Sequence, residues 1–202
     1  MGSIKKTKAY WYADQVIKKK VLAGQYIIKQ AEMFMDNLER DDLIFDLKEA
    51  EMVDQFFSTM LYVPEFKKAI DLPAPHAFWL QQLFGFKWKD TGLRKYKSMY
   101  NQVARKNFKT FMCAGVCNME MLLGHDPNAM VMQGANSRDQ ALICTDMTGK
   151  LIKVSPMLRD LMEEEKINLF TYKKKVIKIV YEDNGRRCRV EAIPKDLGDG
   201  GN

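Results

Sequence analysis

The residues with the most chemistry in this chain form one run, Val103-Ala104-Arg105-Lys106-Asn107-Phe108-Lys109-Thr110. The run ends in a Lys-Thr pair, with which a phosphate-binding loop of pattern G-x-x-x-x-G-K-[ST] enters its helix. There the lysine meets phosphate oxygens and the hydroxyl holds Mg²⁺. The two glycines of that pattern let backbone amides approach the phosphates, and here Val103 and Phe108 stand in their places. If position 108 takes a positive φ, a bulky residue costs about 1–2 kcal/mol there. The flanks suit such a loop. Tyr96, Met99, Tyr100 and Val103 predict a strand over 96–103, and the proline-free segment Phe111–Leu123 predicts a helix.

Charge collects at the same place. The net charge is only +6, yet eight basic residues face one acid between Lys87 and Lys109. That excess suits the phosphates of a nucleotide or of DNA. A solvated basic surface is the plain alternative for any charge run, and the loop motif favours the phosphate reading. No apolar stretch reaches the ~20 residues needed to span a bilayer. The longest uncharged run, Leu72–Phe86, is broken by Pro73 and Pro75, and the first twenty residues mix lysines with aromatics instead of forming a secretory signal. These features predict a cytoplasmic protein with no membrane contact. The four cysteines suit a reducing compartment. Cys113 and Cys117 lie one helical turn apart with His125 beyond, but no further ligands follow at metal-binding spacing, so they are expected to be small core residues.

At 202 residues and 47% apolar content, the chain can hold one large domain or two small ones. Residues 8–70 read as helical. Val16 and Val21 belong to a first segment, and Gly24 separates it from a second. There Ile27, Ala31, Phe34, Met35 and Leu38 share one face. A third helix is predicted over 47–60, with Val53, Phe56, Phe57 and Met60 aligned. Pro64, Pro73 and Pro75 mark the passage onward, giving a helical region over 1–75 and a second domain over 76–202. In the latter, a short helix is predicted over Phe78–Phe84 and a strand over Ala129–Gln133. A helix begins at Ser137, whose capping box closes with Gln140, and another at Pro156. Strands over Val176–Tyr181 and Cys188–Ile193 flank Asn184-Gly185, a hairpin signal. Glu163-Glu164-Glu165 and Glu182-Asp183 read as a solvated helix end and a hairpin tip.

Several of these stretches carry a resemblance. Leu83-Phe84-Gly85-Phe86, Asp90-Thr91-Gly92-Leu93-Arg94 and the loop Arg105-Lys106-Asn107-Phe108-Lys109-Thr110 follow one another. Asp36-Asn37-Leu38-Glu39-Arg40 comes before them, and Gly134-Ala135-Asn136-Ser137-Arg138-Asp139-Gln140-Ala141 comes after. In that order they resemble the large subunits of tailed-phage terminases, the ATPases that drive viral DNA into capsids. The resemblance runs from about Tyr10 to the end of the chain. It implies an α/β fold: a P-loop NTPase-like sheet, incomplete, preceded by an all-helical N-terminal region. The family continues with a strand ending in paired acids and then a nuclease domain. The chain therefore reads as an N-terminal piece that ends, at Gly198-Asp199-Gly200-Gly201-Asn202, inside the ATPase domain.

Site roles also follow from the resemblance. It implies ATP and Mg²⁺ as ligands, with Lys109 on the β- and γ-phosphates, Thr110 on the metal, and Arg105 and Lys106 adding charge. Asn107 and Phe108 complete the loop. The family reads adenine with a glutamine upstream of its Leu-Phe-Gly element. Gapless alignment sets His76 there, with Gln81 and Gln82 a turn or more beyond, and packing or capping stays open for all three. No residue is assigned as catalytic. Implied partners are double-stranded DNA, the small terminase subunit and the portal. Two function classes compete: the nucleotide-binding part of a DNA-translocating ATPase, and a non-catalytic remnant or interaction module with an inert loop.

Overall fold

In the computed structural model, which describes residues 3–194, helices begin where the sequence supplies caps. Helix α1 (Lys8–Ile17) starts behind Thr7, whose Oγ1 accepts from the Tyr10 N–H at 3.2 Å. Helix α2 (Gln25–Glu39) follows Gly24. Strand β1 (Leu43–Phe45) then leads to α3 (Leu47–Gln55), capped by Asp46 Oδ1 on the Glu49 N–H at 3.2 Å. A wider turn of π-helix, Phe56–Met60, ends this stretch. After the two-residue strands β2 (Tyr62–Val63) and β3 (Lys68–Ala69), helix α4 (Ala74–Gly85) carries Pro75 in its first turn, where a missing N–H costs nothing. Strand β4 (Phe86–Trp88) pairs antiparallel with β1.

Two compact units interleave along the chain. One is the chain up to Ser58 with Asp71–Gln102; the other is Thr59–Ile70 with the chain from Val103 onward. The boundary therefore does not follow a single cut near residue 75. In the first unit, the predicted face of α2 is the one that packs. Ala31 and Phe34 are fully buried, and Ile27, Met35 and Leu38 lie against the same core as Tyr12, Phe45, Phe78 and Phe86.

The second unit holds α5 (Lys109–Leu123), β5 (Met130–Ala135), α6 (Arg138–Val154), α7 (Pro156–Glu163), β6 (Ile167–Tyr172), β7 (Lys175–Asp183) and β8 (Arg186–Pro194). Its sheet has the order β5-β8-β7-β6, parallel between β5 and β8 and antiparallel elsewhere. Ser137 Oγ accepts from the Gln140 N–H at 3.3 Å and so starts α6 as expected. Asn184 and Gly185 have φ of +47° and +79°, the two left-handed residues that a tight hairpin between β7 and β8 requires. Helix α6 lies close over β7 because Gly149 has no side chain: a Cβ there would sit 2.6 Å from Val176 Cγ2. Asp146 Oδ1 fastens the approach by accepting from the Val176 N–H at 3.0 Å.

The α/β class stands, with three local corrections. Residues 96–103 form no strand, because their backbone has no strand neighbour among the described residues. Instead Lys95 N–H donates to the Phe86 carbonyl at 2.8 Å, Asn37 donates to the Tyr96 hydroxyl at 2.9 Å, and Tyr100 is 88% exposed. Helical pattern does not persist to residue 70, since β2 and β3 form a short hairpin there. Strands β1, β4 and β6 are additional. No helix among the described residues is long and apolar enough to cross a membrane.

Candidate functional site

The predicted loop meets the start of α5 at a left-handed residue. Phe108 is the N-cap of α5 with φ +58° and ψ 7°, and Lys106 is also left-handed at φ +65°. Phenylalanine thus occupies the loop's glycine position in the conformation glycine adopts without strain. Part of the compensation is its ring, whose centroid lies 5.0 Å from that of Phe111 one turn into the helix. Two substitutions separate strain from packing. Both lose the ring, but only alanine keeps a Cβ at positive φ, so Phe108→Gly is expected to be the more stable by roughly 1 kcal/mol. Urea denaturation of the two variants checks this; equal stability would mean the backbone relaxes out of the left-handed region. The strain is already present in the free chain, so its relief should not by itself tighten phosphate binding.

The loop has its own hydrogen bonds. Asn107 Nδ2 donates to the carbonyls of Ala104 (3.3 Å) and Arg105 (3.2 Å). Lys109 Nζ donates to the Val103 carbonyl at 2.8 Å, closing the loop's two ends. No side chain caps α5, and its helical bonding starts with Met112 N–H on the Phe108 carbonyl at 2.9 Å. The amides of Lys109 and Thr110 therefore precede the helical ladder, at the end where the helix dipole favours anions. Arg105, Lys106 and Lys109 are exposed around them, and Thr110 is half-buried. This is a geometry that can receive phosphate.

Residues 103–110 come together; the residues considered for the base belong to the other unit. Gln81 is 2% exposed, with Oε1 accepting from the Ala9 N–H at 2.8 Å and Nε2 donating to the Ala50 carbonyl at 3.1 Å. Both ends of its amide hold α1 and α3 onto α4. Gln82, also buried, donates to the Phe78 carbonyl of its own helix at 3.2 Å. His76 lies in the first turn of α4, its ring 5.1 Å from that of Trp79.

The basic span is less uniformly available than its composition suggests. Lys87 Nζ sits 2.8 Å from Asp46 and 3.1 Å from Glu49. Burial pulls its pKa down, but the two carboxylates outweigh that and hold it above the usual lysine value. Lys95 donates to Asn37 Oδ1, and burial, followed by the neighbouring Arg40 charge, lowers its pKa. Lys89, Lys97, Arg105, Lys106 and Lys109 remain exposed.

Cys117 is buried and serves the core, where Gln133 Nε2 approaches its Sγ at 2.9 Å; Cys113 is exposed instead. No group of three or more His, Cys, Asp or Glu placed to hold a metal occurs among the described residues. Thr110 alone represents the expected Mg²⁺ site.

Comparison with known families decides the identity. The model of the terminase large subunit ATPase domain matches residues 75–201. The chain belongs to this family. Its fold agrees with a crystal structure of the large terminase of bacteriophage HK97, at a TM-score of 0.56 and 20% sequence identity. The alignment covers 76% of this chain and 29% of the HK97 chain, so this terminase segment spans under a third of that relative. A search of curated protein sequences returned no significant match. The loop Arg105–Thr110 of this terminase ATPase segment lies within the matched region. The hairpin β2–β3, which sequence patterning missed, lies outside it. Its only local signal was Pro64, because strands of two residues are too short to show alternation.

Proposed function

We propose that the chain is the nucleotide-holding part of a viral DNA-packaging motor, binding ATP with Mg²⁺ at Arg105–Thr110. One observation carries this reading beyond family membership: a left-handed turn at Phe108 delivers Lys109 and Thr110 to an uncapped helix start. Amides of the first turn of α5 donate to the phosphate oxygens, and Lys109 exchanges the Val103 carbonyl for them. Thr110 supplies a hydroxyl to Mg²⁺, which when bound offsets the phosphate charge. Arg105 and Lys106 add positive potential at the rim. Saturating MgATP should therefore raise the melting temperature, since a ligand at about 100 times its Kd stabilises by about 2.7 kcal/mol. A melting curve unmoved by millimolar MgATP, with calorimetry showing no binding heat, would remove this reading.

Double-stranded DNA is the proposed cargo, with portal and small terminase subunit as the assembly partners of the motor. The exposed cations Arg105, Lys106 and Lys109 on one unit, and Lys89 and Lys97 on the other, suit phosphate contacts that carry no sequence information. Weak duplex binding is expected, independent of sequence. It should fall roughly tenfold or more between about 50 and 200 mM salt if about three phosphates are neutralised. Fluorescence anisotropy with two unrelated duplexes tests it, and affinity indifferent to salt counts against it.

A further inference from the structure

The sheet of the second unit buries one face and leaves side chains of the other in solvent. Val176 lies beneath Gly149 of α6, and Ile179, Cys188 and Val190 are likewise buried. Side chains alternate between faces along a strand, so the intervening positions form rows across the opposite face. One row is Phe170, Lys178, Glu191 and Met132, which the register sets side by side on β6, β7, β8 and β5. Phe170 is 50% exposed and Met132 58%. In the next row Met130, beside Arg189, is 42% exposed.

The edge strand β6 carries two rings on this face, Phe170 and Tyr172, two residues and so about 7 Å apart. Each is half exposed and has an ammonium above it. Lys178 Nζ is 5.8 Å from the Phe170 centroid, and Lys173 Nζ is 5.4 Å from that of Tyr172. Cations are dense around them: from Lys173 to Arg189 seven basic residues stand against two acids, an excess that the phosphate loop does not account for. Lys173 and Lys174 form the β6–β7 turn at φ +47° and +66°, a conformation that asparagine or glycine adopts at less cost. Two lysines occupy it despite the strain. The acids of the face are answered within it, Glu182 by Arg187 at 3.5 Å and Glu191 by Arg189 at 3.9 Å. Exposed pairs of this kind are weak, so the arginines stay available to phosphate.

We propose that this face binds an unpaired strand of DNA, with bases stacked on Phe170 and Tyr172 and phosphates held by Lys173, Lys174, Lys178 and Arg189. A base takes the place of the ammonium on each ring, and the freed ammonium turns to the phosphates. Stacking needs only the π-face that every base has, so binding is indifferent to sequence. A duplex keeps its bases stacked on one another and offers the rings none, so it can use the cations alone. That separates this face from the exposed cations assigned to the duplex cargo. An acidic peptide would likewise use the cations and leave the rings idle. Only the choice of DNA over another nucleic acid rests on the cargo reading above.

The test is fluorescence anisotropy of the whole chain with labelled oligo(dT) of about sixteen nucleotides, the upper end of single-strand site sizes, beside a duplex of the same length. Phe170→Ala should weaken oligo(dT) binding by about tenfold or more, the scale of one base lost from an aromatic platform, and Phe170→Trp should preserve it. Duplex affinity should be the same in both variants as in the parent. Lys174→Ala should lower the slope of log affinity against log salt by about 0.7, one single-strand phosphate contact. Phe170 is half exposed on an edge strand, so the fold should survive its loss, and melting curves check this. Oligo(dT) affinity that Phe170→Ala leaves unchanged overturns the proposal, as does an equal loss for oligo(dT) and duplex. Displacement of oligo(dT) by polyglutamate as readily as by unlabelled oligo(dT) would show that the face reads charge alone, which also overturns it. Binding of duplex without oligo(dT) overturns this face and leaves the cargo reading intact; binding of oligo(dT) without duplex, lost in Phe170→Ala, does the reverse.

Discussion

Lys109→Ala should lower the affinity for MgATP by about a hundredfold, the scale of losing a charge-assisted contact to phosphate. The side chain is exposed and its one described bond runs to the Val103 carbonyl, so the fold should survive the change. No neighbour can substitute. Lys106 lies before the left-handed turn at Phe108, whereas Lys109 directly follows it as the first residue of α5. Lys109→Arg keeps the charge and should retain part of the affinity. Calorimetry beside circular dichroism decides the matter: a folded Lys109→Ala variant that binds like the parent would show that this loop is not the nucleotide site. The interaction-module reading would then take over.

Phe34→Ala should cost about 3–5 kcal/mol, the usual range for removing a fully buried phenylalanine ring. Phe34 is 0% exposed, with ring centroids of Phe45, Phe78 and Phe86 at 5.7, 5.7 and 5.5 Å. It joins α2 to the β1–β4 pair and to α4, so the cavity would open where three elements meet and could not collapse onto a single neighbour. Against a total stability of about 5–15 kcal/mol for an ordinary domain, that loss is large. Urea denaturation followed by tryptophan fluorescence measures it. A loss under about 1 kcal/mol would mean that the aromatic cluster repacks freely.

The sequence by itself determined whatever a few neighbouring residues can decide. Ser137 caps α6 because its hydroxyl reaches an amide three residues on. Asn184-Gly185 turns the β7–β8 hairpin because both residues tolerate positive φ. The α2 stripe from Ile27 to Leu38 faces the core because helical period sets which side chains share a side. The order of motifs around Lys109-Thr110 likewise led to the terminase family, since each motif is a short run of residues.

Tertiary structure decided what depends on partners distant in the chain. A strand over 96–103 needed a neighbour to accept its backbone bonds, and alternation of apolar residues cannot supply one. Gln81 has the right chemistry to read a base, but it is held by Ala9 and Ala50, which lie 72 and 31 positions away. Lys87 counts as positive charge in the sequence and is answered in space by Asp46 and Glu49. Phe108 is the sharpest case. The sequence showed that a bulky residue had replaced glycine and set the cost if φ were positive. That the backbone does take that φ, with the ring tilted against Phe111 beside a recess lined by Val63, Phe66 and Ile70, became visible only where segments some forty residues apart pack together. Local sequence records torsional preference and period, whereas packing between distant segments decides which preferences prevail.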